Sequence, residues 1–176
     1  RLAYANRGVY VKLGQHLAQL DYLLPDEYTH TLKACFDDAP QSTAEDVEQV
    51  LREDLGGTSH ELFHSFDPLP IASASLAQVH VAYLRNSEGG QGRKVAVKVQ
   101  HRGLRETSKG DVAAVKAAVA VASRMFPSMP LWWIADEIAP NLDVELNFRQ
   151  EARNGQRLAA AFHDDPRIVV PEVMLE

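Results

Sequence analysis

The sequence predicts an α+β fold, with a helical first third, a small antiparallel sheet and further helices. Apolar residues recur at helical spacing over roughly the first 55 residues. From Ile71 the period changes to alternation, and the segments 72–84 and 94–100 both have the pattern of strands. A polar, glycine-rich stretch at 86–92 joins them as a long hairpin.

Composition limits the classes of protein that fit. A chain of 176 residues with a formal net charge of -6 is large enough for one core and unlike a general nucleic-acid binder. The single cysteine, Cys35, fits a reducing compartment. The most apolar stretch, 112–121, contains Lys116 and is too short to span a bilayer. Because the sequence starts at Arg1 and stops after an apolar run, we expect a fragment.

The first predicted helix covers residues 2–24 and stops at Pro25. It contains a K-x-G-Q motif formed by Lys12, Gly14 and Gln15. A glycine inside a helix costs up to about 1 kcal/mol relative to alanine. Gly14 therefore indicates either the close approach of a backbone or ligand, or tight packing.

Two more helices are predicted before the sheet. The second begins at Asp26, which is able to cap it, and its inward-facing residues are Tyr28, Leu32, Cys35 and Phe36. The third covers 43–55, where Thr43 and Asp46 have capping-box spacing and a glycine pair ends the helix. Residues 62–70 are expected to form a connection.

The segment 94–100 is the centre of the functional prediction. As a strand it places Val95, Val97 and Val99 on one face and Ala96, Lys98 and Gln100 on the other. In the preceding strand Val79, Val81 and Tyr83 share a face. A half-buried ammonium at Lys98 needs an anionic partner, a carboxylate or a phosphate. The alternative is an edge-strand lysine whose amine reaches water.

After the hairpin, residues 101–109 are polar and 111–125 have the small side chains of a tightly packed, buried helix. A further helix is predicted over 131–162, broken at Pro140. Residues 168–174 have the pattern of a strand.

Two neighbouring segments have the order of a kinase nucleotide site, a G-x-G-x-x-G-x-V turn followed by V-A-I-K. Residues 72–79 keep the first register, with alanine at all three glycine positions, and Lys98 follows nineteen positions after Val79. Such a lysine needs a glutamate from a helix, and Glu151 is the candidate. Ser73 and Ser75 can still donate hydrogen bonds to phosphate.

Four motifs in order now support a resemblance: K-x-G-Q at Lys12, the alanine-rich turn, V-A-V-K-V-Q at 95–100, and Glu145-Leu146-Asn147 followed by Glu151. The chain resembles the UbiB-like (aarF-domain-containing, ADCK-type) atypical kinases over essentially its whole length. Asn147 stands where that family usually has aspartate.

The resemblance implies a protein-kinase-like N-lobe that binds ATP with Mg²⁺. It also implies two ion pairs, Lys98 with Glu151 and Lys12 with Glu145. On one continuous helix the two glutamates would point about 120° apart with about 9 Å of rise, so they could not share one lysine. The Lys12 pair would hold the K-x-G-Q helix over the nucleotide site as a gate against protein phosphorylation.

The implied site residues fall into two sets. The nucleotide site is predicted to consist of Ala72, Ser73, Ala74, Ser75, Ala77, Val79, Ala96, Lys98 and Glu151. The regulatory set is predicted to consist of Lys12, Gly14, Gln15, Glu145 and Asn147. The histidines show no ligand spacing, so no metal site is expected within the chain. Taken singly, Lys12, Glu145 and Glu151 would be read as solvated helix residues.

The expected organisation is a helical extension over 1–60 and a kinase-like N-lobe over 61–176 with a helical insert at about 111–140. The catalytic residues and metal ligands are expected in a C-lobe that the fragment lacks. By resemblance, the setting is coenzyme Q or lipid metabolism in mitochondria or plastids, with lipids, quinone-biosynthesis proteins and a membrane surface as partners. The alternatives are a pseudokinase-like scaffold for a membrane-associated complex, and a truncated product without function.

Overall fold

The computed structural model describes residues 2–22, 24–37, 39–127, 142 and 144–174. They divide into two compact units, Arg1–Ala118 and Val119–Glu176, which we describe separately. The described elements, in chain order, are α1 Leu2–Asn6, α2 Gly8–Ala18, α3 Asp26–Leu32, α4 Ala34–Asp37, α5 Ala44–Leu55, α6 Ser59–Leu62, β1 Ser65–Phe66, β2 Ala72–Ser73, β3 Ala77–Arg85, β4 Gln91–Gln100, α7 Leu104–Met125 and α8 Phe148–Ala161.

The single helix predicted over 2–24 is two helices, α1 and α2. The chain breaks at Arg7, which has a φ of 59°, and Gly8, which has a φ of 44°. Two successive residues with positive φ cannot continue a right-handed helix. The second helix also ends earlier than predicted, at Ala18.

The helices α3 and α4 correct the predicted second helix. They are separated at Lys33, although Leu32 and Cys35 on either side of it both lie near Gly14 of α2. Cys35 is buried as predicted, but Tyr28 and Phe36 are exposed. Asp26 is not the cap, because the capping position is Pro25, which makes no side-chain cap hydrogen bond.

The helix α5 confirms its prediction at both ends. The Thr43 side chain accepts a hydrogen bond from the Asp46 backbone N–H at 3.2 Å, and Gly56 ends the helix in the left-handed conformation with a φ of 79°. Its apolar residues Val47 and Leu51 are buried. The sequence did not predict the one-turn helix α6, which begins with a capping box between Thr58 and Glu61.

The sheet is antiparallel and centred on β3. One edge of β3 pairs with β1 and β2, and β4 pairs along the other edge. The strand β1 lies within the stretch predicted to be only a connection. The buried core beneath the sheet consists of Val47, Leu51, Phe63, Ala82 and Val99.

The helix α7 begins at Leu104, seven residues earlier than predicted, directly after Gly103 with a φ of 75°. The prediction of a tightly buried helix is wrong, because its buried residues are Leu104, Ser108 and Val115 while most of its alanines are exposed. Among the described helices none has the length and apolar character needed to cross a membrane.

In the second unit, the helix predicted over 131–162 is observed in part. Residues 128–141, including the expected break at Pro140, lie outside the described residues. The helix α8 starts after Asn147, and residues 144 and 145 belong to a separate helical turn. The predicted strand at 168–174 is wrong, since no strand is formed there and Val173 lies against α8 at Gly155.

Candidate functional site

The register of the sheet brings most of the predicted nucleotide residues onto one face. Val79 is directly opposite Lys98 on β4 and opposite Ala72 on β2, and Val81 is opposite Ala96. Residues opposite each other in an antiparallel pair project to the same side of the sheet. Small and aliphatic side chains therefore surround the lysine on this face, which we call the lysine face.

The lysine face is open. Lys98, Ala96 and Ala72 are exposed, and Val79 and Val81 are half-buried. The sequence-based expectation of a half-buried ammonium at Lys98 is therefore wrong. The neighbouring side chains on this face, Ala72 and Ala96, are too short to shield the ammonium.

The alanine-rich turn follows β2 and leads into β3. The Ala74 backbone N–H donates to the Ala77 carbonyl at 2.8 Å, which closes the turn. Ala74 is exposed at its tip, whereas Leu76 and Ala77 are buried. Ala77 lies on the lysine face, one alternation before Val79.

The two serines of the turn lie away from Lys98. Ser73 is opposite Gln78, so its side chain projects from the other face of the sheet. Its Oγ is buried, and no partner for it is found in the part of the chain that the structure describes. Ser75 is buried and its hydroxyl donates to Gln15 Oε1 at 3.4 Å.

The K-x-G-Q motif lies on α2 and contacts the alanine-rich turn through Gln15. The same side chain donates from Nε2 to the Cys35 carbonyl at 2.9 Å. Gly14 is buried against Cys35, and a Cβ added at Gly14 would lie 2.6 Å from Cys35 Sγ. Of the two readings open for Gly14, the structure supports tight packing, and Lys12 is half-buried on the same helix.

A buried histidine, His101, supports the turn from below and was not predicted as a site residue. Its Nε2 donates to the Ala74 carbonyl at 2.9 Å, and its backbone N–H donates to the Leu76 carbonyl at 3.1 Å. A carbonyl can only accept, so Nε2 carries the proton. Nδ1 is then the acceptor for the Ser42 hydroxyl at 2.8 Å when the ring is neutral.

The hydrogen bonds continue beneath the sheet. The Ser42 backbone N–H donates to Gln78 Oε1 at 2.7 Å, and Gln78 Nε2 donates to His80 Nε2 at 2.8 Å. His80 Nδ1 donates to the Asp67 carbonyl at 2.8 Å, and the ring stacks on Phe66. Gln78 and His80 are fully buried although both are polar. In the sequence, the one indication that Gln78 and His80 act together is that they lie two positions apart in a strand and therefore on the same face.

Burial and the charge of Arg7 both favour the neutral form of His101. Burial lowers the pKa of His101, the hydrogen bond to the Ala74 carbonyl opposes that shift, and the nearby Arg7 cation lowers the pKa further. A cavity of about 280 Å³ next to the ring is lined by further charged groups. They include Arg7, Arg102, Asp46 and Asp111. Arg102 is paired with Asp46 at 3.3 Å.

The remaining predicted residues belong to the second unit. Asn147 caps α8 by accepting the Gln150 backbone N–H at 3.0 Å, and Glu151 is in the first turn of α8. The helical geometry assumed between Glu145 and Glu151 is wrong, because the helix is interrupted between them at Leu146 and Asn147. The ion pairs predicted for Lys98 with Glu151 and for Lys12 with Glu145 stay predictions.

Asparagine at position 147 suits the capping role. Asparagine and aspartate are about equally favourable at a helix N-cap, since either side-chain oxygen accepts from the first turn. Among the described residues no cluster of histidine, cysteine, aspartate or glutamate is suited to hold a metal ion.

Comparison with known proteins places these features in a family. A model of the ABC1 atypical kinase-like domain matches residues 34–176. AarF domain-containing protein kinase 1 of Mus musculus is 45% identical over 175 residues, which are 99% of this chain and 32% of that protein. ABC1 family protein MCP2 of Saccharomyces cerevisiae is 40% identical over 173 residues, 97% of this chain and 30% of that protein.

A solved structure gives the same result. The complex of Rv3197 with erythromycin from Mycobacterium tuberculosis superposes with a TM-score of 0.58 at 35% identity, covering 98% of this chain and 43% of that one. The chain thus spans about a third of the length of the curated relatives it matches. Its helices and small antiparallel sheet are those of a protein-kinase-like N-lobe, and the chain belongs to the ABC1/AarF family of atypical kinases.

Proposed function

We propose that this chain is the ATP-binding part of an ABC1/AarF kinase or ATPase, and that the nucleotide lies along the lysine face beneath the alanine-rich turn. The observation that carries the proposal is the register that puts Lys98 opposite Val79, on one face with Ala72 and Ala96. Small side chains leave room for a flat base and its phosphates, and an exposed ammonium suits phosphate oxygens.

Each group has a proposed role. Lys98 contacts the α- and β-phosphates, and Glu151 orients it through an ion pair. Val79 and Ala96 contact the adenine. The alanine-rich turn covers the phosphates, and the bound nucleotide brings Mg²⁺, whose protein ligands we expect among segments of the relatives that this chain does not span. When bound, Mg²⁺ would neutralise phosphate charge.

The geometry around Gln15 supports a regulatory role for the K-x-G-Q helix. Because Gln15 contacts both Ser75 of the turn and the Cys35 carbonyl of α4, movement of α2 would be transmitted to the turn. A Lys12 pair with Glu145 would then hold this helix in place. The wider setting that we propose, by resemblance alone, is coenzyme Q or lipid metabolism in a mitochondrion or plastid.

Equilibrium binding of Mg²⁺ and ADP to the longest natural form of the protein tests the nucleotide site. Lys98→Met should weaken ADP binding at least tenfold, since a charged hydrogen bond is worth about 1.5–3 kcal/mol. Lys94→Met is the matched control: Lys94 lies on the same strand and face, opposite Tyr83, and is also exposed. Equal affinities for the two variants would refute the proposed site.

A further inference from the structure

We infer that His101 is a positioning residue for the alanine-rich turn, and that it sets nucleotide affinity without contacting the nucleotide. The inference rests on the proposed ATP site. His101 is held at three atoms: its backbone N–H by the Leu76 carbonyl, Nε2 by the Ala74 carbonyl and Nδ1 by the Ser42 hydroxyl. The ring therefore links the turn to a segment 32 positions before Ala74.

The turn depends on this support because it has few hydrogen bonds of its own. Ala74 has no side chain with which to bond its neighbours, and the one hydrogen bond that closes the turn is the Ala74 N–H to the Ala77 carbonyl. Its carbonyl is held only by His101 among the described contacts. Hydrogen bonds to both the N–H and the carbonyl of Ala74 fix the backbone of the turn, which would lie next to a bound phosphate.

The support is rigid because its other end is also fixed. Ser42 donates its backbone N–H to Gln78, whose amide in turn bonds His80, and both of these side chains are fully buried. His80 is anchored to the Asp67 carbonyl. A hydrogen-bond network in which every polar group has a partner is rigid, whereas the loss of one hydrogen bond leaves buried polar groups unsatisfied.

Two substitutions separate positioning from packing. A glutamine amide can reach the place of the imidazole Nε2, so His101→Gln keeps the donor to the Ala74 carbonyl. An asparagine amide is shorter by one methylene, so His101→Asn loses that donor while staying polar. The exposed His64 provides the control variant His64→Asn.

The experiment measures two quantities on the longest natural form of the protein, amide hydrogen exchange at Ala74 and the Kd for ADP with Mg²⁺. His101→Asn should speed exchange at Ala74 and weaken ADP binding about fivefold to tenfold, the value of one hydrogen bond to a buried group. His101→Gln and His64→Asn should stay within about twofold of the parent.

Each outcome has a defined reading. Unchanged exchange at Ala74 in His101→Asn overturns the inference, as does equal weakening of ADP binding by the asparagine and glutamine variants. If the parent protein binds no ADP while His101→Asn still speeds exchange, the proposed function fails and the support of the turn by His101 stands. Should His101→Asn not fold, Ser42→Ala removes only the hydroxyl contact to Nδ1. Unchanged amide exchange at Ala74 in Ser42→Ala then overturns the inference.

Discussion

Replacing Gly14 by alanine tests the packing between α2 and α4. The added Cβ would lie 2.6 Å from Cys35 Sγ and 3.4 Å from Cys35 Cβ, and Cys35 is only 2% exposed. Overpacking of this kind costs about 1–3 kcal/mol. Alanine restores up to about 1 kcal/mol of helix propensity, so the free energy of unfolding should fall by up to about 2 kcal/mol in total.

Urea denaturation of the parent and variants measures this change. Gly110→Ala is the control, because Gly110 lies within α7 and a Cβ there meets no atom within 4 Å. It should stabilise the protein by about 0.5–1 kcal/mol. In the double variant with Cys35→Ala the clash is removed, and the two substitutions should show a favourable coupling of at least about 1 kcal/mol. Stabilisation by Gly14→Ala equal to that of Gly110→Ala would refute the reasoning.

Three further predictions follow from named contacts. Asn147→Ala removes the side chain that accepts the Gln150 N–H and should lower the free energy of unfolding, measured by urea denaturation, by about 1 kcal/mol. Asn147→Asp should leave the free energy of unfolding nearly unchanged. Burial and Arg7 lower the pKa of His101, so the stability it contributes is complete above about pH 6.5 and is lost as the pH falls through its folded pKa. Between pH 7 and pH 5 the parent should therefore lose more stability than His101→Gln, and equal losses in denaturation midpoint would contradict this. Ala74→Gly should change the ratio of the Kd values for ATP and ADP, because glycine frees the turn backbone, and identical binding curves would count against it.

The sequence predicted well where one local rule determined the structure. The Thr43 cap and the Gly56 end fix α5 without help from distant residues. The alternation of β4 likewise determined which side chains accompany Lys98, since the period of a strand is fixed at two. The same alternation placed Val97 and Val99 on one face, and the structure shows that this face packs into the core.

Where distant contacts determined the structure, sequence patterns were insufficient. Gln78 and His80 are buried because Ser42 and the Asp67 carbonyl, far away in the chain, satisfy their polar atoms. No period reveals such partners. The break at Arg7 depends on a backbone conformation that no residue preference indicates, since arginine rarely adopts positive φ.

The apolar run at 168–174 shows another limit. It alternates like a strand, but a strand exists only when a partner supplies hydrogen bonds. The described residues 168–174 form no strand, and Val169 is 88% exposed. An alternating pattern therefore shows that a segment is able to form a strand, and a strand forms only where a neighbouring strand pairs with it.

The β3–β4 hairpin offers a practical site for labelling. Its loop is closed locally: Asn86 Oδ1 accepts from the backbone N–H groups of Glu88 and Gly90, and the irregular register near Arg85 separates this loop from the paired residues at Lys98. The loop lies at the opposite end of the nine-residue strand β3 from the alanine-rich turn, roughly 27 Å away at the usual rise. A dye or a short peptide tag inserted at Ser87 should thus leave nucleotide binding intact.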